Sequence, residues 1–422
     1  MGLSGDPKVP ALRLGHVQIV RTFWQGSMMG RGSRGTYKEA TWAPDFARAG
    51  GRSGAARPYR AFIPDQIADL DPTLSAATSA LSERAGNAVR ELNASEPALA
   101  PLEGLARQLL RSEALASSRI EGLSISHRKL AQAAIESEGS HRALEVLATM
   151  RAMEAAVQIG ADSDEITRES ILEIHRALAI VPPLDRIAGQ LRTEQGWIGG
   201  ADPPDADYVG PPHQHVPRLI DDLCQFMNRD DISPVAQAAI AHAQFELIHP
   251  FGDGNGRVGR CLIHVLFRRR GIAPRYVPPV SLVFGVHKDA YITGLENFRD
   301  DRIDDWTAQF ARAVEVSAAS AEQFSHRVNE LQAEWLEKSR PLRKDATARA
   351  IIGNLPSFPF MTTRVVQDLT GRSDVAALQG LDRLARVGIL TRHRNRRKGD
   401  SWEARELLTL LDEFEHAVRM PG

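Results

Sequence analysis

One segment gathers residues whose types and spacing can do chemistry together: His249-Pro250-Phe251-Gly252-Asp253-Gly254-Asn255-Gly256-Arg257-Val258-Gly259-Arg260. Gly254 and Gly256 let a backbone approach an anion closely. A helix expected to begin near Asn255 would aim unpaired N–H groups and its positive dipole end at the same point. Arg257 and Arg260 stand three residues apart, on one face of that first turn, where two guanidinium forks suit a polyphosphate better than a monophosphate. Asp253 offers a carboxylate oxygen of the kind Mg²⁺ takes beside phosphates and water. His249, across the loop, can accept a proton near neutral pH. Such a set suits phosphoryl or nucleotidyl transfer, where positioning and electrostatics do most of the catalysis. Taken singly, each residue has a plainer role: His249 as a helix cap, Asp253 and Asn255 as turn formers, the arginines as solvated charges. Jointly they favour chemistry, because a helix broken by Pro, Asp, Asn and glycines and then resumed through Val258, Leu262, Ile263, Val265 and Leu266 needs a purpose for its loop.

The elements that must hold this segment read as helices. Apolar residues recur at helical spacing through Leu102, Leu105, Leu109 and Leu110, then Leu115 and Ile120. The pattern continues through Leu144, Val146, Leu147 and Met150, and through Ile171, Ile174, Leu178 and Ile180 until Val181-Pro182-Pro183 stops it. Further helices are expected around 219–227 and 235–248, the second running straight into His249. The stretch from Gln190 to Gly200, with its glycines and Trp197, predicts a small β-hairpin. A helix over 308–335 leads to a charged linker, Lys338 to Asp345. Beyond it, Thr362 or Thr363 caps a short helix, Gly371-Arg372-Ser373 turns, and Asp374 caps a second helix carrying Val375, Leu378, Leu381 and Leu384. Ile389-Leu390-Thr391 and Trp402 then flank a basic tip, Arg392 to Gly399, in the pattern of a winged helix.

With 422 residues, 43% hydrophobic and 25% charged, the chain predicts two or three packed units. The expected divisions are a loose Gly/Arg-rich arm over 1–57, a helical module over 58–160, a catalytic unit over 161–318, a helical linker over 319–344 and the winged helix over 345–415. A formal net charge of -1 excludes a globally basic nucleic-acid coat. Cys224 and Cys261 are too few for a disulfide framework, and Cys261 with His264 falls short of a structural zinc site. No apolar run approaches the roughly 20 residues of a membrane span, and no secretion signal is read, so a cytoplasmic location and no membrane partner are expected.

Residues 249–260 resemble the signature of Fic-domain proteins, His-Pro-Phe-x-Asp-Gly-Asn-Gly-Arg-x-x-Arg, with no signature position altered. The resemblance implies an all-α fold with a small β-hairpin flap, an N-terminal helical module and, here, a C-terminal winged helix. It implies that His249 deprotonates a Ser, Thr or Tyr hydroxyl of a target protein, which attacks the α-phosphorus of ATP. Asp253 would coordinate Mg²⁺. Gly254, Asn255 and Gly256 would hold the α- and β-phosphates, and Arg257 and Arg260 the β- and γ-phosphates, with Val258 and Gly259 in the same nucleotide-binding turn. Tyr291 matches an adenine-side tyrosine, although Ile292 replaces the usual second aromatic. Trp197, Ile198, Gly199 and Gly200 would form a flap that pairs with the target by strand addition.

Ser117-Ser118-Arg119-Ile120-Glu121-Gly122 resembles the inhibitory motif of the same family, Ser/Thr-x-x-x-Glu-Gly/Asn, with Ser117 and Glu121 at its functional positions. A Glu121 carboxylate paired with Arg260 would remove the guanidinium that should grip the γ-phosphate; the same glutamate could serve removal of AMP. Gly122 is otherwise an ordinary helix cap. Two rivals stand beside this reading. His242, Glu246 and His249 recur at helical intervals that could gather a metal, as in a hydrolase, although His-Glu-x-x-His is absent. The winged helix could bind DNA through Gln379, Arg383, Arg386 and the wing. The expected partners are ATP, a target protein or another copy of this chain, a homodimer included, and DNA.

Overall fold

The structure is a computed structural model that describes residues 33–43, 55–94, 102–136, 140–341, 346–395 and 399–418. The helix α7, Pro234–Ile248, is apolar on every side and nearly every residue of it is buried, so it can only sit inside a bundle. Around it pack α1 (Ala76–Ala94), α6 (Val216–Met227), α8 (Asn255–Arg269), α10 (Lys288–Arg299) and α11 (Ile303–Lys338). Helix α8 lies in turn against α4 (His141–Asp162), and a Cβ at Gly160 would run into the Val265 backbone, so the glycine sets that close approach. Helix α2 (Leu102–Ile120) packs on α4 and on α9 (Val280–Val286), which brings its C-terminal end beside the start of α8. Helix α5 (Arg168–Leu178) opens with a capping box between Thr167 and Ser170. The fold is mostly helical, as the sequence pattern predicts.

Strands are few, and two of their pairings depart from the sequence reading. Within the expected loose arm, β1 (Gly35–Trp42) pairs antiparallel with β2 (Arg57–Pro64), from Gly35 opposite Pro64 to Trp42 opposite Arg57. The pairing survives its polar composition because β2 buries Ala61 and Phe62 in the core, and Tyr37 packs edge-on against Phe62 at 5.1 Å. The rest of that arm, 1–32 and 44–54, lies outside the described residues. The flap is also rearranged: β3 (Trp197–Ile198) pairs with β4 (Tyr208–Val209), outside the Gln190 to Gly200 stretch that was expected to close on itself.

Helix α11 runs unbroken from the bundle into the C-terminal unit, so no break marks the expected boundary at 318. There, α12 (Thr347–Asn354), α13 (Thr363–Thr370), α14 (Asp374–Arg386) and α15 (Arg405–Ala417) surround a three-stranded sheet in the order β5 (Phe360–Met361), β7 (Ser401–Glu403), β6 (Thr391–His393). The cap of α14 is Ser373, whose hydroxyl accepts from the Ala376 N–H, and not Asp374. This unit clasps the rest through α2 and α3 (His127–Glu136): Arg119 Nη2 meets Glu415 at 2.7 Å, His127 Nε2 meets Glu415 at 2.8 Å, and Arg128 Nε meets Glu403 at 2.7 Å. Cys224 and Cys261 are both free and buried. Among the described residues no helix is long and apolar enough to cross a membrane.

Candidate active site

Helix α7 ends at His249, whose backbone is left-handed at φ 48° and whose N–H donates to the Phe245 carbonyl at 2.9 Å. The unpaired carbonyls at that helix end are collected by Arg192, which is 9% exposed. Its Nε donates to the His249 carbonyl at 2.8 Å, and its Nη2 to Pro211 at 2.6 Å and Ile248 at 3.4 Å. The chain then crosses to Gly254, left-handed at φ 82°, where α8 begins. Asn255 pins the crossing: its side-chain oxygen accepts from the Phe251 N–H at 2.8 Å and its amide donates to the Phe251 carbonyl at 2.9 Å. Asp253 accepts from the Gly254 N–H and stands 3.5 Å from Arg257 Nη2. The N–H groups of Asn255, Gly256 and Arg257, in the first turn of α8, have no carbonyl within the helix to bond, so they face an anion position.

The chain places an anion there itself. Arg260, 1% exposed, donates from Nε to Ser117 Oγ at 2.8 Å and from Nη2 to the Ser117 carbonyl at 2.9 Å and to Glu121 Oε1 at 2.8 Å. The same carboxylate lies against Gly256, where any Cβ would collide with Oε1. Lys288 Nζ donates to the Ile120 carbonyl at 2.6 Å and so holds the end of α2 in place. Burial pushes the Glu121 carboxyl up, but Arg260, with Arg257 and Lys288, more than offsets it and leaves it below the usual value.

Burial and then the Arg192 charge lower His249 to about 4, so its imidazole is neutral at pH 7. Burial raises Glu246 to about 8 despite Arg260; its carboxylate sits over Gly259, where α7 and α8 nearly touch. His175 supports the loop from α5. Its Nδ1 accepts the Gly189 N–H at 3.0 Å, which places the ring proton on Nε2, 3.2 Å from the Asp253 carbonyl. The ring stacks on Phe251 at 3.9 Å and 8°.

The structure thus brings His249, Asp253, Gly254, Gly256, Arg257, Arg260, Ser117 and Glu121 together. Other expected ligands take different work. Asn255 spends its amide on Phe251 and shapes the loop. Val258 is fully buried and donates its N–H to Gly254, and Gly259 is a contact point with α7. Tyr291 is 4% exposed in an aromatic cluster, 4.5 Å from Phe284, with its hydroxyl 2.8 Å from His242 Nε2, so it does not present an open face to adenine. That bond also occupies His242, and among the described residues no three His, Cys, Asp or Glu side chains gather as metal ligands, against the hydrolase reading. In the flap, Gly199 and Gly200 are left-handed at φ 73° and 64°, and Trp197 packs edge-on against Trp42 at 5.7 Å. Arg192 and His175 escape sequence reasoning, and Glu246 is singled out there only as a metal-ligand candidate. The partners of Arg192 and His175 in the signature loop lie 57 and 78 residues away, and only the proximity of Arg192 to the flap glycines is a signal.

The Fic/DOC family profile matches residues 165–267 and the Fic/DOC N-terminal family profile matches residues 79–158, spans that contain this loop and the Glu121 helix end. Residues 165–267 form a Fic domain. Protein adenylyltransferase fic-1 of Caenorhabditis elegans is 36% identical over 121 residues, 28% of this chain and 22% of the worm protein. Protein adenylyltransferase Fic of Aedes aegypti is 31% identical over 185 residues, 43% of this chain and 35% of the mosquito protein. The chain therefore spans between 22% and 35% of the length of these curated relatives. Among solved structures, a Fic family protein from Desulfovibrio desulfuricans aligns over 79% of this chain and 97% of its own, with 20% identity and a TM-score of 0.49. Fic-1 of C. elegans (residues 134–508) aligns over 60% and 73%, with 24% identity and a TM-score of 0.46. In the Fic domain of this chain the signature loop and its neighbouring glutamate occupy one site.

Proposed function

We propose that this protein is a protein adenylyltransferase, which moves AMP from ATP to a Ser, Thr or Tyr hydroxyl of a target protein and releases pyrophosphate. One observation carries the reading: the Glu121 carboxylate rests on Gly256 at the N-terminus of α8 and pairs with Arg260 at 2.8 Å, so the nest is an anion site filled from within. With ATP, phosphate oxygens take that place on the N–H groups of Asn255 to Arg257, and Arg257 and Arg260 grip the outer phosphates. The neutral imidazole of His249 accepts the hydroxyl proton as the oxygen bonds the α-phosphorus and the bond to pyrophosphate breaks. Asp253, whose side chain is 35% exposed at the mouth of the nest, fits the single carboxylate that Mg²⁺ takes beside phosphates. Bound there, Mg²⁺ supplies charge neutralisation to the triphosphate. Among the described residues β3 is hydrogen-bonded along one edge only, to β4, which leaves an edge for an extended target segment.

The resting enzyme is restrained, because Glu121 and the γ-phosphate compete for Arg260. The test is the full chain with ATP labelled at the α-phosphate: Glu121→Gly incorporates label and the double variant with His249→Ala does not. An unlabelled Glu121→Gly protein, or label that persists without His249, refutes the proposal. The C-terminal unit has the order of elements of a winged helix, but two of its arginines are engaged within the chain and not offered to DNA. Arg383 is spent on the Ser339 and Pro341 carbonyls at 3.1 and 2.7 Å, and Arg392 on Asp382 and Asp400. The wing residues 396–398 lie outside the described residues.

A further inference from the structure

A cavity of about 70 Å³ lies where α2, α3 and the C-terminal unit meet. Arg107 and Arg111, on successive turns of α2, reach it, and Ala131, Ala134, Phe358 and Phe360 are among its apolar walls. Arg111 is 3% exposed and its Nε has no hydrogen-bond partner; Gln108 Oε1, 3.2 Å from Nη1, is the one acceptor it meets among the described residues. Arg107 lies over the Phe358 ring at 5.0 Å. Neither forms an ion pair with a described residue. The nearby buried carboxylates are committed elsewhere: Glu113 to Ser281 and His264, Glu403 to Arg128 and Arg405, and Glu415 to Arg119 and His127. Burial and the Arg107 charge lower Arg111 to about 10, which leaves it cationic at neutral pH.

A guanidinium sealed against apolar walls, with a like charge beside it and no counter-ion among the described residues, is unfavourable until an anion joins it. We infer that this cavity is a binding site for a small oxyanion, a phosphate or carboxylate group, held by Arg111 from within and Arg107 from the rim. The guanidinium forks match the planar or tetrahedral oxygens of such groups. The volume is several times the ~10–15 Å³ that a cavity needs to hold one water, which admits a small group of that kind. An occupant would also fasten the C-terminal unit to α2, since Gln108 already donates to the Pro356 carbonyl beside the cavity. The site is separate from the nest of α8 and does not depend on the transferase reading.

The test uses the full chain in inorganic phosphate or in acetate at fixed ionic strength, followed by thermal melting and titration calorimetry. At least one anion should raise the melting temperature, equally in wild type and in Arg257→Ala, in which the nest is weakened. A response to phosphate alone identifies a phosphate group as the natural ligand, and an equal response to acetate a carboxylate. Arg107→Gln, at an exposed position, should weaken binding roughly tenfold through loss of one charge-assisted bond. Arg111→Met should abolish the response and, without anion, melt at or above wild type. The inference is overturned if neither anion shifts the wild type, if the shift survives both substitutions, or if it vanishes in Arg257→Ala. It is equally overturned if Arg111→Met without anion melts far below wild type or does not fold, because the chain itself would then satisfy Arg111.

Discussion

Two buried arginines meet the same helix, α2, and are treated in opposite ways. Arg260 reaches the end of α2 from α8 and receives a hydroxyl, a carbonyl and the Glu121 carboxylate. Arg111, halfway along α2, receives one neutral amide oxygen among the described residues. A buried guanidinium needs acceptors for its N–H groups, from carbonyls as at Arg192 or from an anion, and Arg111 has only Gln108 among the described residues. Where the chain provides the anion, it becomes a competitor for the substrate's own charge and so a brake; where the described residues provide none, the position is open to a ligand.

The sharpest way to break this contrast is at the centre of the chemistry. In the Glu121→Gly background, His249→Ala should lower AMP incorporation by about 10²–10⁴-fold, the range for a positioned general base, measured with α-labelled ATP. Next is stability. Arg260→Met leaves Glu121 and Ser117 without their cation and should cost roughly 3 kcal/mol in urea unfolding, because breaking a buried pair strands a charge. If that cost is absent, the two arginines are alike and the comparison fails. Releasing the brake should have a smaller effect: Glu121→Gly should raise the initial rate of self-modification roughly 5–150-fold, the usual span of a coupling between two sites.

The mildest effect is on pH. His175 and His249 are lowered to about 4 and His242 to about 3, each first by burial, from an ordinary 6.5. Below 6.5 the unfolded chain therefore binds protons that the folded chain does not, and stability falls as pH drops toward 4. Glu246, raised by burial from 4.5 to about 8, acts the other way. It stays protonated when folded and ionises when unfolded, so its contribution falls as pH rises from 4.5 to 8. Three histidines outweigh one glutamate below 6.5, and above it the glutamate acts together with the exposed His141, which its bond to the Pro182 carbonyl raises above the ordinary value. Urea midpoints should peak near pH 6.5, and most of the fall on the alkaline side should disappear in Glu246→Gln.

Legibility followed distance along the chain. His249 through Arg260 could be read because the nest, the metal-type carboxylate and the base are built within one loop and one helical turn. The helices could be read because their apolar spacing repeats locally. Arg192 could not, since its acceptors at Ile248 and His249 come from another element, and neither could the stacking of His175 on Phe251. Strand β1 was misjudged because its Gly-, Lys- and Glu-containing sequence offers little to bury, and its order comes from pairing with β2. Val258, Gly259 and Tyr291 are assigned by resemblance, whereas Val258 is fully buried, Gly259 faces α7 and Tyr291 stacks on Phe284.

By itself, then, the sequence determined the parts that act at short range: a helix N-terminus with two glycines, two arginines one turn apart, a histidine at the preceding helix end, and a glutamate closing α2. The pairing of Glu121 with Arg260 across 139 residues is implied by the motif resemblance and realised by the fold. Tertiary structure alone decided that Arg111 meets no described carboxylate, which nothing in its local sequence announces. The physical reason is that a backbone nest is specified by neighbouring φ and ψ angles, while the fate of a buried charge is specified by whatever the fold packs around it.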